Sequence, residues 1–203
     1  MPGRDAASLG LEVLSAAAGE EGLLLRGGFH PIPEDLVPAL PDGRSAASLI
    51  LLGNAGGSLW PTFAASPERQ DGAPDPLDRW SARVIGDLAK RFGAAALFPF
   101  GGPPYHPFQR WALRAEKLAA SPLGMLIHPA YGLWHAYRAA FIFENAIEAP
   151  SPQDAGSPCD TCTAKPCLAT CPVGAFSTEG YDVASCATHL SAPEGQRCRT
   201  AGC

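Results

Sequence analysis

Apolar residues along this chain recur with two spacings. Short apolar runs at Leu23–Leu25, Ala46–Leu52 and Ala94–Phe98 are bounded by Gly, Asn or Pro, and they predict strands. Asp5–Ala18, rich in Ala and Leu, predicts a first helix. A second begins at Asp75-Pro76, where Asp suits the cap and Pro the first helical position. Trp80, Val84, Leu88 and Phe92 then recur every four residues and place one apolar stripe against a core. Phe108, Trp111, Ala115 and Leu118 fit another amphipathic helix. Leu123–His128 and Trp134–Phe143 predict a strand pair around Pro129-Ala130-Tyr131-Gly132. Residues 1–149 therefore predict an α+β or α/β domain with a three-layer tendency. The Pro-rich run Ala149–Pro158 predicts a linker, and residues 150–203 a small second module.

Composition narrows the function classes. A length of 203 residues, 46% hydrophobic, supports one sizeable core and one small appendage. The net charge of −5, with no long Lys/Arg cluster, argues against a nucleic-acid partner. Apolar runs such as Leu49–Leu52 and Ala139–Phe143 are too short to cross a bilayer, so no membrane role is expected. The opening MPGRDAASLGLEVL has no apolar stretch behind a basic head, and a cytoplasmic protein is the expectation.

Cysteine usage is the strongest chemical signal. The first 158 residues hold no cysteine, and all 7 lie between positions 159 and 203, an odd count that argues against a disulfide scaffold. The run CDTCTAKPCLATCP gives Cys159-x2-Cys162-x4-Cys167-x3-Cys171-Pro172, with Val173-Gly174-Ala175 directly after it. Close thiolates of this kind wrap the corners of an iron–sulfur cubane, while a last Cys followed by Pro turns toward a neighbouring cluster. The run resembles a bacterial-type ferredoxin motif, with a wider second gap containing Lys165-Pro166. A tetrahedral zinc site is the bland alternative, since four such thiolates also bind zinc. Cys171, Cys186, Cys198 and Cys203 make up one four-thiol set, leaving Cys159, Cys162 and Cys167 for a second that lacks a ligand. Either an eighth cysteine lies beyond Cys203, which the stop at Ala201-Gly202-Cys203 favours, or one ligand is not cysteine; Cys186 as a simple buried residue is the plainer reading of that position.

Two stretches of the chain carry a family resemblance. The Cys-Pro-x-Gly-Ala run with Tyr181-Asp182-Val183-Ala184-Ser185-Cys186 after it resembles the dicluster region of epoxyqueuosine reductases and reductive dehalogenases. GFHPIPEDL at Gly28–Leu36, the stretch Leu49–Phe63, and above all IHPAYGLWHAYRAAFIF at Ile127–Phe143 are similar to the CblC-type cobalamin-processing domain. The resemblance implies a nitroreductase-like first domain, one or two 4Fe-4S clusters, a cobalamin, and an electron-donor protein of the ferredoxin or flavodoxin type. Ala130 stands where the CblC pattern carries an arginine tied to thiol substrates, so that dealkylation is not implied.

The residues of the central region give their own reading. A planar macrocycle with amide arms suits aromatic faces and amide partners, which makes Tyr105, Gln109, His128, Trp134 and Arg138 candidate cofactor contacts. Phe108, Trp111 and Trp134 read more readily as core than as cofactor lining, and His106 and His128 more readily as hydrogen-bonded structural residues than as axial ligands. The expected function is delivery of electrons from 4Fe-4S clusters to a corrinoid for reductive chemistry, with a reductase activity left open. The alternatives are a ferredoxin-type carrier without cobalamin, its upstream domain docking a partner, and a zinc-stabilised interaction module.

Overall fold

The computed structural model describes residues 6–116, 118–149 and 156–201. In chain order the first elements are α1 (Ala6–Glu20), β1 (Leu24–Phe29), β2 (Ser48–Ala55), α2 (Trp60–Ala64), α3 (Pro67–Gln70), α4 (Pro76–Arg91), β3 (Ala95–Leu97) and α5 (Phe108–Ala115). Next come β4 (Ala119–Ala120), β5 (Leu126–Ile127), β6 (His135–Phe143), α6 (Pro166–Ala169), β7 (Phe176–Ser177), β8 (Gly180–Tyr181), α7 (Val183–Ser191) and α8 (Gln196–Ala201). The chain divides into two compact units, one of Met1–Lys117 with Trp134–Asp154, the other of Leu118–Leu133 with Ala155–Cys203. Most of the expected linker, residues 150–155, lies outside the described residues.

The first unit is built on an antiparallel sheet of order β1-β2-β6-β3. β2 and β6 are central, and Ser48–Gly53 are buried on both faces, which is why that stretch reads as an unbroken apolar run. Side chains alternate across a strand. Ile50, Leu52, Ala139, Phe141 and Phe143 join Leu14 of α1 and Trp80, Val84, Ile85 and Leu88 of α4 in one core. Leu49, Leu51, Ala140 and Ile142 point the other way, and α5, which packs on β1 and β2, covers that face with Trp111, Ala112 and Ala115 buried. The unit is thus helix, sheet and helix in three layers, an α+β arrangement because every strand pairing is antiparallel. Each large side chain wholly buried here contributes about 1.5–3 kcal/mol.

Three local expectations are corrected. Asp75 does not cap α4: it is left-handed (φ 50°, ψ 48°) and its side chain makes no cap bond. Arg79 dictates that turn, donating to the Asp71 carboxylate at 2.7 and 2.8 Å and to the Pro74 carbonyl at 2.9 Å. Leu118 is not helical, because α5 ends at Ala115 and Glu116 turns extended. Leu123–His128 does not pair with the strand that comes after it. β5 pairs with β4, while β6 needs both its edges for β2 and β3, because Ala139–Phe143 are apolar on both faces.

The second unit holds only short elements, with the two-residue ladders β4-β5 and β7-β8 and the helices α6, α7 and α8. Among the described residues its buried apolar side chains are Leu123 and Ala175.

Candidate metal centre

The cysteine run folds as a chain of tight turns. Ser157 opens it, its hydroxyl accepting from the Cys159 N–H at 3.2 Å and its carbonyl from the Asp160 N–H at 3.0 Å. Lys165 is left-handed (φ 39°) and leads into α6, whose first residue is Pro166 and which carries Cys167. The chain then turns at Cys171-Pro172-Val173-Gly174, closed by the Gly174 N–H on the Cys171 carbonyl at 3.2 Å; Gly174 takes φ +62°, where a side chain is strained. This turn aims backbone donors at sulfur. The Ala175 N–H lies 3.3 Å from Cys171 Sγ. Burial pushes the Cys171 thiol up, but the N–H groups of Val173, Ala175, Gly174 and Phe176 outweigh it and hold the thiol below its ordinary range.

The hairpin β7-β8, with Phe176 and Tyr181 stacked at 4.5 Å, returns the chain toward α7. Asp182 caps that helix through the Ser185 N–H at 3.0 Å, and bonds from the Ser185 hydroxyl and backbone keep its carboxyl below the usual range. α7 carries Cys186 and, one turn on, His189. A tight turn at Gly195 then reverses the chain into α8, which carries Cys198. A Cβ at Gly195 would meet the His189 carbonyl at 2.1 Å, so only glycine lets the two helices close this far.

The result is a cavity of about 740 Å³ lined by Cys171, Cys186 and Cys198, with His189, Thr170 and Arg197 among the other walls. Three of the four cysteines grouped by spacing therefore meet on one cavity. Cys203 lies outside the described residues, and Cys159, Cys162 and Cys167 are not among the cavity walls. The six described cysteines are free and partly buried. Among the described residues no three His, Cys, Asp or Glu side chains converge tightly enough to hold a single ion. His189 Nε2 is buried and has no hydrogen-bond partner.

The residues expected to meet a macrocycle have the following surroundings. Trp134 is 79% exposed, Tyr105 68%, and Gln109 is also exposed. Arg138 ties β6 to α4, donating to Asp78 at 2.6 Å and to the Ser81 hydroxyl at 3.1 Å. His128 belongs to the second unit, where its Nδ1 accepts from the N–H groups of Ala130 (3.0 Å) and Tyr131 (3.2 Å) and its ring stacks on Tyr131. Phe108 and Trp111 are core, and the Trp111 indole N–H donates to the Asp35 carbonyl at 2.8 Å.

Sequence reasoning missed a polar network in the first unit. Arg26, 2% exposed, donates to both oxygens of Glu116 at 2.8 and 2.9 Å and lies 3.2 Å from His135 Nδ1. Tyr137 donates to Glu116 at 2.5 Å; burial first, then that bond and the Glu116 charge, push its hydroxyl above the ordinary range. A lone Arg in the apolar run LLLRGGF was the available signal. For His189 the signal was a histidine three residues after Cys186.

Compared with protein-family models and with curated protein sequences, the chain matches none. Among the described residues no helix is long and apolar enough to cross a membrane.

Proposed function

We propose that this chain is an iron–sulfur electron-transfer protein, with Cys171, Cys186 and Cys198 holding one 4Fe-4S cluster and Cys203 the fourth thiol in reach of the spacing. The observation that carries this reading is the shared cavity of the three thiols. The donor chemistry fits as well, since the N–H groups around Cys171 favour its thiolate, the form that binds metal. Such a cluster, when bound, supplies one-electron transfer at a potential set by burial and by hydrogen bonds to its sulfurs. Cys159, Cys162 and Cys167 are the thiols of a second cluster in this reading. Unpaired cysteines suit a reducing, cytoplasmic setting.

The acceptor in this proposal is a corrinoid on a nitroreductase-like first unit, and the electron source a ferredoxin- or flavodoxin-type protein. Support comes from the resemblance of Gly28–Leu36, Leu49–Phe63 and Ile127–Phe143 and from the three-layer α+β architecture. The exposure of Tyr105, Gln109 and Trp134 favours the second reading, a carrier without cobalamin whose first unit docks a protein.

Anaerobic reconstitution with iron and sulfide tests the common core of both. About four irons per filled cluster, with brown absorbance, is expected; zinc retention without iron or sulfide uptake overturns it. Titration of the reconstituted protein with hydroxocobalamin then separates the two. Saturable binding with a shifted corrinoid spectrum supports the reductase, and no binding leaves the carrier.

A further inference from the structure

Buried polar atoms without partners are few in folded proteins, and each carries an unrecovered desolvation cost. Among the described residues two side-chain atoms are in that state, Ser121 Oγ and His189 Nε2. Ser121 is not among the walls of the cysteine-lined cavity, whereas His189 stands there with Cys171, Cys186 and Cys198. Cys186 and His189 are three apart on α7, so they share one face of that helix. The turn at Gly195 closes against the His189 carbonyl, which fixes this residue's backbone where α8 begins.

His189 also lines a second cavity, with Val173, Ala184, Ser185, Thr188 and Ala192, but the first is the one that brings thiols, so a group held there would complete the ring nitrogen. A group held by three thiolates is rich in sulfur acceptors and negative charge and has no donor of its own. The side chain that complements it is an imidazole presenting an N–H. We infer that His189 donates a hydrogen bond through Nε2 to a sulfur of the group held by Cys171, Cys186 and Cys198, and thereby raises its reduction potential. This rests on the iron–sulfur reading. The bond strengthens as an added electron increases the negative charge on sulfur, so it favours the reduced form. His189 is a positioning residue in this account and carries no electron itself.

Arg197, on the same cavity, offers a contrast. It is exposed, and its positive charge acts through solvent that salt screens over about 8–10 Å. A buried hydrogen bond is far less sensitive to salt.

The test is a redox titration, followed by electron paramagnetic resonance, of the reconstituted full chain and three variants. His189→Leu should keep wild-type iron and sulfide content and shift the oxidised-to-reduced ratio at fixed potential by about tenfold toward oxidised, or about 59 mV for one electron. His189→Gln keeps an N–H donor and should stay near wild type. The His189→Leu shift should persist at high salt, whereas that of Arg197→Gln should fade. An unchanged potential in His189→Leu, with iron retained, overturns the inference and leaves the cluster standing. Loss of a whole cluster's iron in both His189 variants overturns it too, by making His189 a ligand. Failure of the wild-type chain to take up iron and sulfide overturns the iron–sulfur reading itself.

Discussion

In the first unit Trp80, Ile85, Phe141 and Ile142 are almost wholly removed from water, whereas among the described residues of the second unit only Leu123 and Ala175 are buried apolar side chains. The first unit can balance the entropy of ordering its chain by burying apolar area on two faces of one sheet. The second cannot do so with turns, two-residue ladders and short helices. It does have Cys171, Cys186 and Cys198 on one cavity, and on the iron–sulfur proposal the binding free energy of the group they would hold is folding free energy. On the iron–sulfur proposal the two units would be ordered by different chemistry, and each should be open to perturbation without the other.

The largest expected effect is from withdrawing metal. Chelation of the reconstituted protein should collapse amide protection across residues 156–201 while β2 and β6 keep theirs, as hydrogen exchange would record. Equal loss in both units would break the comparison. Next comes the buried ion pair. Arg26→Met leaves Glu116 without its bidentate partner and should cost about 3–5 kcal/mol of first-unit stability in urea. Iron per chain should be unchanged; a matching fall in iron would mean that the two units depend on each other.

The smallest effect sharpens the contrast by pH. Glu68 accepts from Arg83 at 2.5 and 3.0 Å, and that bond holds its carboxyl at about 2 rather than the ordinary 4.5. A depressed carboxyl contributes stability that is whole above 4.5 and lost as pH falls toward 2. Glu68→Gln should therefore lower first-unit stability slightly at neutral pH and flatten its decline through that acid window. An unaltered acid limb in urea denaturation would remove Glu68 from the account.

Local pattern in the sequence was a good guide wherever one face decided the structure. The stripe Trp80, Val84, Leu88 and the apolar runs of β1, β2 and β3 all lie in elements that pattern predicts. It was a poor guide where a distant partner decided. Nothing near Leu118 says that the helix stops early, because the residue that stops it, Glu116, is drawn off by Arg26 and Tyr137. Nothing near Trp134 says that β6 takes a place between β2 and β3, since that choice depends on what its two faces can be packed against. The candidate site divides the same way. The grouping of Cys171, Cys186 and Cys198 is visible as spacing, while the buried nitrogen of His189 emerges only when α7 and α8 close on each other.

The two margins of the sheet have a consequence for solubility. β3 is three residues long, and β1 breaks register between Leu25 and Gly28. Open strand edges invite other chains to add on, and short or bulged margins are how soluble proteins discourage it. A newly made chain would therefore offer neighbouring molecules little to template on from this sheet.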